Sequence, residues 1–348
     1  MTSQSYFDII VIGGGPSGAS AAISMRNLGL SVCLVEAQIF PRFRPGETLA
    51  PGALSLLEHL GIKRELITSA GVPHIGIHMA YERQHEFHYF NRTDETWYGL
   101  HIERQTLDTL LLQRAVEVGC NVLQPAKALK ALIDETNKPT IITTKGLVAA
   151  RFVVDATGAN RWLARQQGQS SLFLSTPLRV DYEYRSNDNY FDGNGYLNAD
   201  KEGWSWNAPI GRGMDVEYTM AFGKTIARPR VGHPKIIRKG SSNVTWRIEQ
   251  HLVGHRYLVV GDAACSLDPA SGHGILRALL SGINAAYAIN SFLHSSGEKD
   301  LGHYGKWLFN WFIDDCFRLS QIYERWTGYR DPIKFQHMLN TFLSNETV

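Results

Sequence analysis

The regular pattern opens with a short apolar run, Asp8–Ile12, broken at once by three glycines. A run of that length, apolar on both faces, predicts a buried strand of a parallel sheet. Gly18–Leu28 follows with small residues at Gly18, Ala19, Ala21 and Ala22, which let a helix lie close on a sheet. Gly29 ends that helix, and Ser31–Val35 predicts a second strand closing on Glu36. Strand, tight turn, helix and strand make a βαβ unit. Further on, Leu54–Leu60 and Thr106–Val118 read as amphipathic helices, and Thr140–Thr144 and Ala149–Val154 as strands. The texture then changes. Leu172–Tyr184, Gly203–Ile210 and Val216–Phe222 alternate polar and apolar positions, as half-exposed antiparallel strands do. Tyr257–Val260 returns to a buried strand, Gly274–Phe292 to a helix, and the tail from Tyr304 is helical and rich in Trp, Phe and Tyr.

The α/β segments therefore bracket a β-rich insertion, with no internal repeat and no low-complexity linker. Composition adds exclusions. Apolar residues are 44% and charged residues 20% of 348, ordinary for a globular chain. A net charge of +2 with both signs interspersed leaves no electrostatic footprint for nucleic acid. Cys33, Cys120, Cys265 and Cys316 are far apart and form no CxxC pair, so neither a metal site nor a disulfide framework is expected. The first apolar run is too short for a signal peptide, and Ser281, Asn284 and Asn290 interrupt the most apolar late stretch, Ala278–Leu293. The expectation is a cytoplasmic protein with no membrane span.

Chemistry enters with the glycines. Gly13-x-Gly15-Pro16-Ser17-Gly18 follows a strand and opens a helix. Gly13 permits the tight turn, Gly15 lets backbone approach a pyrophosphate, and Gly18 lets helix meet sheet; the helix N-terminus favours the anion. Glu36, at the end of the second strand, can accept hydrogen bonds from both ribose hydroxyls. These residues predict a bound dinucleotide and leave NAD and FAD both open.

The run Gly261-Asp262-Ala263-Ala264-Cys265-Ser266-Leu267-Asp268-Pro269-Ala270-Ser271-Gly272-His273-Gly274-Ile275 resembles the late motif of p-hydroxybenzoate hydroxylase-like FAD enzymes. That resemblance implies FAD. It implies that Asp262 bonds the ribitol, that Pro269 lies near the reactive edge of the ring, and that Gly272, Gly274 and Ile275 present amides to its pyrimidine side. The physics agrees, since reduced flavin is anionic near N1 and C2=O and a helix N-terminus supplies positive dipole there. Glu103-Arg104-Gln105-Thr106-Leu107-Asp108 resembles the class's R-x-x-L-D helix start, whose Arg reaches the phosphates; an ordinary Arg104–Asp108 helix pair is the alternative. Asp155-Ala156-Thr157-Gly158 resembles a strand end that supports the adenosine side. With no second GxGxxG, the electrons are expected from a transient NAD(P)H or an external reductase. The implied fold is α/β: a glutathione-reductase-like, Rossmann-type FAD-binding domain (1–65, 97–168, 251–295), a β-rich antiparallel substrate domain (66–96, 169–250) and a helical C-terminal segment (296–348).

Two shorter motifs narrow the class. Arg44-Pro45-Gly46-Glu47-Thr48-Leu49 and Trp204-Ser205-Trp206-Asn207-Ala208-Pro209 resemble the GE loop and WxWxIP of the flavin-dependent halogenase and geranylgeranyl reductase branch. Halogenases carry a lysine soon after the GE loop, whereas no lysine lies between Glu65 and Ala126 here. They also carry a Glu-Ser pair where this chain has Ser271-Gly272. The length and the Ser271–Ile275 wording look more like the flavoprotein maturases of cysteine tryptophylquinone in bacterial lysine and glycine oxidases. That resemblance implies O₂-dependent hydroxylation of a tryptophan in a partner precursor protein. Arg44 is then a cofactor contact, and His273, Pro269 and Trp206 are the candidates beside the reacting ring. A prenyl lipid reductase, a halogenase acting on a small aromatic, and an electron-relaying flavoprotein are the alternatives. Tyr304, Trp307, Trp311 and Phe312 recur at helical spacing, as a packed helix or a docking face would have them.

Overall fold

Strand Ser5–Ile12 lies inside an eight-stranded sheet, flanked in parallel by Val32–Val35 and Gly146–Asp155. The parallel order continues to Asn121–Leu123 on one side and Tyr257–Val259 on the other. This is a computed structural model, and it describes residues 5–46, 48–81, 84–91, 97–133, 138–186, 192–211, 213–221, 235–295 and 298–327. Glu47, Phe222 and residues 328–348 of the expected C-terminal segment lie outside that set.

The helices are α1 (Pro16–Asn27), α2 (Ala53–His59), α3 (Arg64–Thr68), α4 (Arg104–Glu117), α5 (Trp162–Gln166), α6 (Gly274–Ser295) and α7 (Glu298–Thr327). Helix α1 is buried along nearly its whole length because α6 crosses it closely. Gly282 makes that crossing possible, since a Cβ there would lie 2.2 Å from the Ser20 hydroxyl and 2.3 Å from the Ser17 carbonyl. The α/β reading of the sequence is therefore the observed architecture, with the βαβ unit at its centre.

A seven-stranded sheet forms the second layer, in the order 235–243, 179–186, 214–221, 203–211, 195–200, 76–81 and 84–89. All its pairings are antiparallel except that between 195–200 and 76–81. The expected strand Leu172–Tyr184 is two strands, Ser171–Phe173 and Arg179–Ser186, in different sheets. Pro177 lies in the break, and a proline supplies no amide for a central ladder. Helix α7 starts at Glu298, ahead of the expected Tyr304. No helix among the described residues is long and apolar enough to cross a membrane.

Candidate active site

The dinucleotide turn is built by steric necessity. Gly13 has φ +103°, and a Cβ there would lie 2.4 Å from the Ala156 carbonyl oxygen. A Cβ on Gly18 would lie 1.9 Å from the Gly13 oxygen. Gly15 is the N-cap of α1 and Pro16 its first residue, so no side chain covers the first-turn amides. They form an open anion cradle. Glu36 is buried and accepts hydrogen bonds from the Gly14 and Gln38 amides, each at 2.7 Å. Beneath the turn, the wholly buried Asp155 accepts from the amides of Thr157 (2.9 Å) and Leu163 (2.8 Å), which gives the DATG strand end a structural role. Burial raises its pKa despite those bonds.

Two arginines meet at Asp108, and the one that also lies beside the cradle was not singled out from sequence. Arg42 carries its guanidinium over the Phe40 ring at 4.4 Å, 3.4 Å from Asp108 and 3.8 Å from Glu36. Its Nη2 lies 3.8 Å from where a Gly15 Cβ would stand, and its Nε and Nη1 are buried without hydrogen-bond partners. Arg104 makes a two-pronged pair with the buried Asp108 at 2.9 and 3.1 Å and donates to the Pro45 carbonyl at 3.4 Å. Asp108 thus organises both guanidinium groups below the GE loop. Arg44 is exposed. A glycine cradle at a helix N-terminus, an acid at the second strand and a half-buried arginine with two buried, unused donors fit the pyrophosphate and ribose of FAD.

The late motif lies against this turn. Gly261, at φ +58°, leaves no room for a Cβ, which would lie 2.5 Å from the Ser17 hydroxyl. Two segments far apart in sequence thereby share one site. Asp262 is exposed in the turn that follows. Pro269 starts a short 3₁₀ turn, Gly272 takes the left-handed conformation at φ +67°, and Gly274 opens the 22-residue α6, with Ile275 half-buried behind it. His273 is half-exposed, with Nδ1 3.9 Å from Asp315 on α7; Asp315 also pairs with the buried Arg277 at 3.3 Å.

The seven-stranded sheet contributes an aromatic wall. Registered neighbours share a face, so Leu197, Trp206, Tyr218 and Tyr182 point to one side. The Trp206 ring packs against Gly195, where a Cβ would be 2.1 Å from it. The Tyr218 hydroxyl accepts from the Gly46 amide at 2.7 Å, and Phe43 packs on Tyr184 and Tyr182 with centroids 5.1 and 6.1 Å apart. The loop 43–46 is thus docked on the wall. Trp206 also meets His101 edge-on at 6.2 Å, and His101 stacks on His74 at 4.0 Å. Burial lowers His74 to about 4 and holds His101 well below the usual imidazole range, so both rings are neutral at ordinary pH. Trp204, by contrast, is core, its indole donating to the Tyr323 hydroxyl at 2.9 Å. No single motif announces this wall, because its rings come from three strands and a loop.

Residues 6–177 match the family of FAD binding domains. The chain carries an FAD-binding domain of that family. It is an enzyme of the FAD-dependent oxidoreductase kind. A 1H-pyrrole-2-carbonyl-(peptidyl-carrier protein) brominase of Pseudoalteromonas luteoviolacea is 26% identical over 335 residues, covering 86% of this chain and 81% of its own. The menaquinone reductase of Mycobacterium tuberculosis is 24% identical over 339 residues, covering 84% and 78% respectively. The structure of the flavin-dependent brominase Bmp2 has the same fold, with a TM-score of 0.81 at 21% identity over 98% of this chain and 92% of that one. The kinship therefore runs to flavin halogenases, which corrects the expected nearness to tryptophylquinone maturases. The Ser271–Ile275 wording misled because a flavin loop is shaped by the cofactor, which these enzymes share, and not by the substrate.

Proposed function

We propose that this enzyme uses reduced FAD and O₂ to carry out electrophilic substitution on an electron-rich aromatic ring, with halogenation as its leading reaction. The observation that carries the reading is the wall of Trp206, Tyr218, Tyr182 and Tyr184 docked on the Gly46 loop, in a chain whose relatives include a pyrrole brominase. Aromatic faces bind a flat substrate through offset and edge contacts and keep water off the reacting face. FAD, when bound and reduced, supplies the two electrons that activate O₂. In balance, ring C–H, halide, a proton, reduced flavin and O₂ give ring C–halogen, oxidised flavin and two waters. The chain's part is to hold the cofactor through Gly13–Gly18, Glu36, Arg42 and Arg104, and to hold the substrate ring on the wall.

Hydroxylation is the second reading, in which ring C–H, O₂ and reduced flavin give the phenol or hydroxyindole, oxidised flavin and one water. Its support is the lack of any lysine between Glu65 and Ala126, where strands bear the neutral pair His74 and His101 instead. A tryptophan within a partner precursor protein is the substrate this reading first suggests.

The deciding experiment supplies the enzyme with FAD, NADH and a flavin reductase in air, with bromide or chloride, over pyrroles, phenols, indoles, a tryptophan peptide, a quinone and a prenyl lipid. Mass spectrometry of a brominated product, with its paired isotopes, supports the first reading; added oxygen alone supports the second. Reduction of a quinone or prenyl double bond without either product overturns both.

A further inference from the structure

Strands Gly146–Asp155 and Tyr257–Val259 run side by side and parallel, and a short 3₁₀ turn follows the C-terminal end of each. The first turn, Gly158–Asn160, ends the DATG segment; the second, Gly261–Ala263, carries the exposed Asp262. The two turns pack on each other, at the strand ends where parallel α/β sheets take their ligands. One carboxylate joins their surroundings. Glu249, on strand Arg247–Glu249, is 2% exposed and accepts from Nε and Nη2 of Arg161, the latter at 2.9 Å. It also accepts from the Ser171 hydroxyl at 2.7 Å and from Arg247 Nη1 at 3.0 Å. Arg247 is buried in turn, and its Nη2 donates to the Asp262 main-chain carbonyl at 2.6 Å. The path Arg161, Glu249, Arg247, Asp262 therefore runs from the DATG side of the crevice to the start of the late motif.

We propose that Arg247 and Glu249 are positioning residues for FAD, clasping the Asp262 main chain so that its carboxylate is presented to the ribitol. The inference rests on the reading that Asp262 bonds the ribitol. Three features set the clasp apart from an ion pair that only holds the fold. Arg247 spends one arm on Glu249 and the other on the backbone of Asp262, and a guanidinium fork is planar and rigid. The carbonyl is thereby fixed relative to the carboxylate. Asp262 is exposed between the buried Gly261 and Ala263, so packing fixes the ends of the turn while Arg247 fixes the peptide between them. The strand bearing Arg247 also pairs with Cys265–Ser266, and the Glu249 amide donates to the Ala264 carbonyl at 2.8 Å, which seats the clasp directly on the turn's exit. Finally, Arg161 holds a left-handed φ of +50°, a costly conformation for a residue with a side chain. Its two-armed bond to Glu249 secures that backbone and ties the far side of the crevice to the same carboxylate.

The test is a double-mutant cycle on FAD affinity, measured by flavin fluorescence titration, with Arg247→Met and Asp262→Ala as its two changes. Each single variant is expected to weaken FAD binding by about tenfold, the scale of one hydrogen bond to a charged group. The double variant should bind no more weakly than Asp262→Ala alone, because Arg247 acts through Asp262. A purely structural arginine would give independent losses that multiply to about a hundredfold, and that result overturns the clasp. So does an Arg247→Met protein that binds FAD as tightly as the parent while Asp262→Ala does not; the ribitol reading then stands without the clasp. If Asp262→Ala alone leaves the affinity unchanged, the ribitol reading fails and takes the clasp with it. Should the methionine variant not fold, Arg247→Lys enters the same cycle. It keeps the charge and most of the stem, but a lysine's point charge lacks the fork that spans carboxylate and carbonyl. Its loss of affinity is likewise expected to vanish in the Asp262→Ala background, and a loss that persists there overturns the clasp.

Discussion

The Glu36 carboxylate reaches back across the dinucleotide turn to accept the Gly14 amide at 2.7 Å, so the acid expected to hold ribose also holds the turn's shape. Removing it should therefore weaken the cofactor in two ways. Glu36→Ala is expected to lower FAD affinity by about tenfold or more, the scale of one hydrogen bond to a charged group. Flavin fluorescence titration measures this directly, and an unchanged Kd would remove Glu36 from the site.

Arg42 and Arg44 separate by position. Arg42 is enclosed between Phe40, Glu36 and Asp108, while Arg44 faces solvent. Arg42→Ala should reduce FAD affinity by more than about tenfold, and Arg44→Ala by little, since exposed charges contribute about 0–1 kcal/mol. Equal losses in both variants would mean that burial does not identify the cofactor arginine.

Gly18 and Gly302 offer a stability contrast. A methyl at Gly18 meets the Gly13 oxygen at 1.9 Å and the Ala156 methyl at 2.9 Å. Gly18→Ala should destabilise the fold by about 1–3 kcal/mol or more and abolish FAD retention. Gly302 lies inside α7 with nothing within 4 Å of the added carbon, so Gly302→Ala should stabilise by about 0.5–1 kcal/mol. Thermal melting of both variants checks the pair, and a stable, FAD-replete Gly18→Ala protein would contradict the turn's geometry.

Asp268 gives the stability a pH dependence. Burial raises its pKa from 3.8 to about 6, against the lowering by Trp246, Tyr323 and the Ala270 amide. The ionisable groups near it on α7 are Tyr323 and Cys316, both held neutral by burial. Because the native state keeps the proton longer than the unfolded chain, this contribution is fully present below about pH 4 and is lost as pH rises through about 6. Asp268→Asn should flatten the slope of Tm against pH across that window. An identical slope in the variant would mean that another group titrates there.

Trp206 is expected to act on substrate and not on cofactor. Trp206→Leu removes the ring that packs against Gly195 and faces His101. It should raise KM for an aromatic substrate while leaving FAD content unchanged. Loss of FAD in this variant would place the ring in the cofactor site instead.

The sequence alone determined the βαβ unit, the glycines of the turn, Glu36 and the late Gly261–Ile275 motif, because a positive φ, a cap or a close backbone crossing constrains residues within one short window. It also placed the β-rich insertion, through alternation along single strands. What it left open were choices between equivalent side chains and contacts with no local signature. Two nearby arginines read alike until the chain turns Arg42 inward, toward Asp108 on α4. Phe43, Tyr184, Trp206 and Tyr218 become one wall only when the strands take their register. Trp204 and Trp206 share a face and a motif, yet α7 covers the first and leaves the second half-exposed. Tyr323 meets Trp204 and Trp246 only because α7 packs against their strands, contacts set between elements and invisible to any window of the chain.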